Sequence, residues 1–208
     1  ARRLAAALGC VHIDSGAMYR ALGWKALQLG VALVDHDGLA RLAAATDVRI
    51  VARACGARVL VDGEDVTHAL RTPAMDEASS VVSTCPAVRE RLVALQRAMA
   101  REGGVVMDGR DIGTVVFPNA QLKFFLDADL AVRADRRLTD LRRAGATVDA
   151  SHIRDEVARR DARDRAREVA PLRAAPDAIR IDSSSLDAEA VVAAMLAEVA
   201  KVLNQDKS

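Results

Sequence analysis

Val11-His12-Ile13-Asp14-Ser15-Gly16-Ala17-Met18-Tyr19-Arg20 decides the fold. Val11 to Ile13 has strand character and runs into Asp14-Ser15-Gly16. Apolar residues then recur at helical spacing from Ala17 to Leu29, ending near Gly30. A strand that turns at once into a helix puts Ser15 at the helix N-terminus, at the carboxyl edge of a sheet. Main-chain N–H groups and the helix dipole favour an anion there. Arg20 lies five residues on, about 1.4 turns. It does not stack over Ser15 but can reach a phosphate beside the first turn. Taken alone, Ser15 is equally well a helix cap and Arg20 a surface arginine.

Outward from this stretch, strand and helix patterns alternate. Ala1 to Leu8 reads as the end of a helix closed by Gly9, and its lack of a cap leads us to expect chain upstream of Ala1. Leu39 to Ala45 is another helical piece. The pattern then changes to period two, with Val48, Ile50 and Ala52 facing one way and Val59 and Val61 continuing. Turns at Gly56 and Asp62-Gly63 make this a three-strand meander, read as an insert. Pro86 fits a first helical position, and the helix runs to Ala100 before Gly103-Gly104. Val105 to Met107 and Leu122 to Leu126 are strands. Helices are expected over Ala131 to Arg143 and Ser151 to Glu168, a strand over Ile179 to Ile181, and a helix over Ala188 to Leu203 capped by Ser184 or Ser185. The fold class expected is α/β, with a doubly wound, mostly parallel sheet.

Composition narrows the function classes. The 208 residues are 51% hydrophobic and only 2% aromatic, so Ala, Val, Leu and Ile must build the core. A net charge of +1 provides no global field for nucleic acid or an anionic membrane. Arg outnumbers Lys 26 to 4, so an isolated arginine says little and only arginine within a motif counts. Cys10, Cys55 and Cys85 are odd in number and widely spaced, which argues for a reducing compartment and against a zinc site. No apolar run is long enough to span a bilayer, and none reads as a signal peptide.

Two further groups could carry chemistry. Asp108-Gly109-Arg110-Asp111 follows the apolar strand Val105-Val106-Met107, where ligands of open α/β sheets bind. Asp108-Gly109 is also an ordinary turn, and Arg110 and Asp111 could simply neutralise each other. Arg160 to Arg167 is the densest charge run. On a helix, Arg160, Arg163 or Asp164, and Arg167 share one face. A salt-bridged solvated helix accounts for that run, and so does a clamp for phosphates. His12 reads as a packed core residue, His36, His68 and His152 lack partner spacing, and Ser183-Ser184-Ser185 reads as a turn and cap.

Taken with Arg71-Thr72-Pro73, the run Asp108 to Pro118, and Val169-Ala170-Pro171-Leu172, these motifs resemble the bacterial cytidylate kinase family over nearly the whole chain. The resemblance implies a P-loop nucleoside monophosphate kinase fold with a β-meander insert and an Arg-rich helical lid. It divides the chain into core (1–41), acceptor-nucleotide insert (42–83), core (84–132), lid (133–170) and core (171–208). The implied reaction moves the γ-phosphoryl group of ATP to CMP or dCMP, with Mg²⁺ as cofactor. Nucleotides would be the only partners of a cytoplasmic monomer that binds neither nucleic acid nor membrane.

By the same resemblance, Ser15, Arg20 and Arg110 hold the acceptor phosphate. Ser80, Arg89 and Asp111 read cytosine, with Ser79 beside Ser80 offering the same chemistry. Arg160 and Asp164 hold the acceptor ribose, and Arg167 lies near the transferring phosphate. Arg110, Arg160 and Arg167 are the implied catalytic groups. Arg136 and Arg137 stand where donor-phosphate contacts are expected. Asp108, and more weakly Asp14, could orient the water shell of Mg²⁺. The sequence contains no GxxxxGK[ST] run; the family's ATP-cradling loop is expected just before Ala1 or is absent. The rival readings are a nucleotide-binding module without catalysis and a kinase of different base preference. An Arg-rich RNA-binding protein is disfavoured by the charge and the scarce aromatics.

Overall fold

A computed structural model describes residues 1–53, 56–101, 103–143, 145 and 147–205. The architecture is mixed α/β, and the chain forms two compact units, Ala1–Ile112 and Gly113–Ser208.

In the first unit, α1 (Arg2–Leu8) ends at Gly9, whose left-handed backbone closes the helix as expected. β1 (Val11–Asp14) leads directly into α2 (Ser15–Gln28). Asp14, not Ser15, is the N-cap: its Oδ1 accepts from the Ala17 N–H at 3.0 Å, and Ser15 is the first helical residue. α3 (His36–Ala45) is capped by Asp35. The meander follows as β2 (Val48–Arg53), β3 (Gly56–Val61) and β4 (Glu64–Asp65), all antiparallel. Asp62 and Gly63 both have positive φ, the conformation a tight hairpin between β3 and β4 requires. Gly56, expected to make the turn before β3, is instead the first residue of that strand and pairs with Arg53 of β2. Residues 54 and 55, Cys55 among them, lie outside the described residues.

α4 (Pro73–Val82) was not anticipated from the sequence, although Thr72 caps it and Pro73 opens it. α5 (Pro86–Met99) begins at proline as expected. β5 (Val105–Asp108) pairs with β1 in parallel, setting His12 opposite Val106 and Asp14 opposite Asp108. One core joins α2, α3, α5 and the meander through Met18, Leu22, Leu39, Val48, Val61 and Leu92. It is mostly aliphatic, as the composition requires, with Tyr19 a buried member and Trp24 packed against it. The sequence Ile112–Val116 forms a π-helical turn that no spacing argument foresaw.

In the second unit, β6 (Phe124–Asp127) and β7 (Ile179–Asp182) form a parallel pair. α6 (Leu130–Arg143) and α7 (Ala150–Ala166) pack together around Leu138, Leu141 and Ile153. α8 (Ala188–Gln205) closes the chain. Its first N–H groups are capped by Asp187, whose Oδ1 accepts from Glu189 and Ala190. The expected serine cap is therefore corrected: Ser184 instead donates to Asp182 and accepts from the Asp129 N–H. Among the described residues, the parallel pairings are β1 with β5 in the first unit and β6 with β7 in the second. Among the described residues, no helix is long and apolar enough to cross a membrane.

Candidate active site

The carboxyl ends of β1 and β5 organise the first unit's site. Ser15, 4% exposed, sits on the first turn of α2 and donates its hydroxyl to the Asp108 carbonyl at 2.7 Å. That contact needs a glycine at 109, because a Cβ there would overlap Ser15 Oγ. Arg20, one turn and a half along α2, donates to Asp14 Oδ2 at 2.6 Å, and its second terminal nitrogen lies 3.7 Å from Asp76 on α4. Ser15, Arg20 and the N-terminus of α2 thus lie at one end of one helix. This gathers a hydroxyl, a guanidinium and main-chain N–H groups where an anion is favoured.

A second group is deeper. Arg89 on α5 and Asp111 after β5 form an ion pair, with side chains 5% and 6% exposed. Arg89 also donates to the Ser83 carbonyl at 3.3 Å, and its guanidinium carbon lies 5.8 Å from the Tyr19 ring centroid. Ser79 and Ser80 on α4 are both buried, so burial does not choose between them. Arg110 is exposed next to Asp111. Burying a charge pair is costly unless both partners are matched and bonded. Here the pair is supported by a carbonyl and an aromatic face, an arrangement able to grip a flat polar ring.

Tyr19 and Asp76 escaped the sequence argument. Tyr19 is the only tyrosine in a chain with little aromatic content, which could have marked it. Asp76 had no signal, because its relation to Arg20 exists only once α2 packs on α4. His12 is a correction. It is not a packed core residue: its side chain is 21% exposed and its Nε2 lies 2.6 Å from Asp108 Oδ1.

In the second unit the Arg160 to Arg167 run lies on the last two turns of α7 and just beyond. Asp161 and Asp164 are buried, and Arg160 and Arg163 half-buried. Arg167, at the C-cap, pairs with Asp164, while the Leu172 N–H donates to the Asp164 carbonyl at 2.8 Å. Asp161 pairs with Arg133 of α6. Arg136 donates to Ser183 Oγ at 3.1 Å, to the Ser183 carbonyl at 2.6 Å and to the Leu186 carbonyl at 3.0 Å. A phosphate at Arg136 would compete with these bonds. Arg137 is half-buried on α6.

The lowered carboxylate pKa values lie away from both groups. Hydrogen bonds from Thr67, Ser151, Lys123 and Ser184 hold Asp65, Asp149, Asp177 and Asp182 below the usual range, and the Asp47 N–H does the same for Asp62.

The family model described as "Cytidylate kinase" matches residues 1–201. A curated cytidylate kinase of Pelotomaculum thermopropionicum is 52% identical over 200 residues, covering 96% of this chain and 88% of the relative. One from Geobacillus kaustophilus is 49% identical, covering 92% of this chain and 86% of the relative. One from Pseudomonas savastanoi is 47% identical, covering 95% and 87%.

Proposed function

This chain belongs to the cytidylate kinase family and phosphorylates CMP and dCMP with ATP, and we propose a division of labour among its residues. The buried Arg89–Asp111 pair carries the proposal. Asp111 accepts from the cytosine C4 amino group, and the uracil O4 would meet the same carboxylate with repulsion. Arg89 donates to the ring acceptors, held by Tyr19 and Ser83. Ser80 is the third reader.

Ser15, Arg20 and Arg110 take the acceptor phosphate. The Ser15 hydroxyl donates to the Asp108 carbonyl, so donating to a phosphate requires it to turn from that carbonyl. Arg160 and Asp164 are assigned to the acceptor ribose. Arg167 and Arg160 are assigned to the charge that develops on the transferring phosphoryl group. Arg136 and Arg137 are candidates for the donor phosphates. Direct transfer between aligned nucleotides needs no covalent intermediate; positioning, charge neutralisation and exclusion of water suffice.

The residues fit Mg²⁺. Among the described residues no cluster of three or more His, Cys, Asp or Glu forms an all-protein cage. Mg²⁺ characteristically keeps water and substrate phosphates and uses one or two carboxylates. Asp108, half-exposed at the end of β5, is that carboxylate. When bound, the ion neutralises donor-phosphate charge. The fold reading that accompanies these roles is a doubly wound P-loop kinase, working as a cytoplasmic monomer.

The experiment is steady-state kinetics with CMP, dCMP, UMP and AMP on wild type and Asp111→Asn. A preference for the cytidine nucleotides that narrows in the variant supports the assignment. A loss equal for CMP and UMP overturns it.

A further inference from the structure

We propose that His12 is a positioning residue for phosphoryl transfer, acting through Asp108. The inference rests on the reading of Asp108 as the carboxylate that orients water around Mg²⁺.

β1 and β5 end side by side, with Asp14 opposite Asp108 and His12 two residues earlier on β1. His12 Nε2 reaches diagonally to Asp108 Oδ1 at 2.6 Å, and against an ionised carboxylate, which only accepts, the imidazole Nε2–H is the donor. The Asp108 side chain is 51% exposed. A half-exposed carboxylate at a strand end is otherwise free to rotate between rotamers. The imidazole fixes Oδ1, and no described residue bonds to Oδ2. Meanwhile the Asp108 carbonyl accepts from Ser15. One residue is thus held at both ends, its main chain by the acceptor-site serine and its side chain by His12. The arrangement defines which carboxylate oxygen is presented to a ligand and from where. Orienting partners of this kind act on the chemical step, because they set geometry without touching substrate.

The test is a double-mutant cycle with His12→Leu, Asp108→Asn and the pair, together with His12→Gln. The glutamine amide can replace the Nε2 donor. His12→Leu is expected to lower kcat about 10-fold, the scale for loss of an outer-shell partner. KM for CMP should move less than about twofold. Calorimetric CMP affinity, measured without ATP or Mg²⁺, should not change. His12→Gln should recover most of the lost kcat. In the Asp108→Asn background His12→Leu should cost nothing further, since the group it acts on is altered. If His12→Leu does not fold, His12→Phe keeps the ring without the donor.

An Asp108→Asn enzyme with full kcat would overturn the Asp108 assignment and this inference with it. An impaired Asp108→Asn enzyme with a silent His12→Leu, or with equal fold losses in both backgrounds, would overturn this inference alone. So would a His12→Leu loss that appears equally in CMP affinity and that glutamine does not rescue, which would mark a purely structural histidine.

Discussion

Arg89 and Asp111, 22 residues apart on α5 and after β5, form an ion pair almost wholly removed from water. Removing either partner leaves a buried charge with too little compensation, a loss of about 3–5 kcal/mol in comparable pairs. Asp111→Ala should therefore lower stability by an amount of that order, measured by denaturant unfolding. The double variant Arg89→Met, Asp111→Leu should recover much of it while remaining unable to discriminate cytosine. Recovery of stability without discrimination separates the structural role of the pair from its recognition role.

Gly109 allows Ser15 to reach the Asp108 carbonyl, and Ile112 Cδ1 lies 2.9 Å from where a Cβ at 109 would sit. Gly109→Ala should cost about 1–3 kcal/mol by overpacking. It should also weaken CMP binding more than cytidine binding, because the displaced group is Ser15, the serine proposed to hold the phosphate. Thermal unfolding and paired calorimetric titrations check both parts.

Arg110 is exposed beside a buried Asp111 and is assigned to phosphate. Loss of one charged hydrogen bond corresponds to roughly 10- to 100-fold in affinity. Arg110→Ala should weaken CMP by that factor and leave cytidine unaffected. Equal losses for the two ligands would count against a phosphate contact.

Acid sensitivity follows from carboxylates outside the site. Lys123 holds Asp177 low through a hydrogen bond at 2.6 Å, while its own side chain is 7% exposed. A folded pKa below the unfolded one adds stability above the ordinary aspartate value of about 4. That stability is lost as pH falls through the folded pKa. Asp62, Asp65, Asp149 and Asp182 act in the same direction. The thermal midpoint should hold between neutral pH and about pH 5 and fall below about pH 4. In Lys123→Met the fall should be shallower, because the share due to Asp177 has gone.

Local signals were legible along the chain and long-range pairings were not. The Val11–Arg20 stretch specified a strand and helix, since apolar spacing changes within three residues, and Asp62-Gly63 specified its hairpin through positive φ. Pro86 marked the start of α5. Burial of His12 was misjudged because its partner lies 96 residues away, across a strand pairing that periodicity does not encode. The contacts of Tyr19 and Asp76 likewise arise only when α2 meets α4 and α5. α4 escaped because its central serines blur the apolar stripe, although Thr72 and Pro73 signal its start. Asp187 displaced the expected serine cap because Ser184 is already bonded to Asp182.

The most direct measurement is calorimetric titration of the protein with CMP and UMP, repeated on Asp111→Asn. CMP should bind at least about 10-fold more tightly than UMP, the scale of one good polar interaction made or left unmatched. The gap should narrow in the variant. Equal binding of the two nucleotides by the unaltered protein, or a gap that survives Asp111→Asn, would contradict the assignment of the buried pair to cytosine.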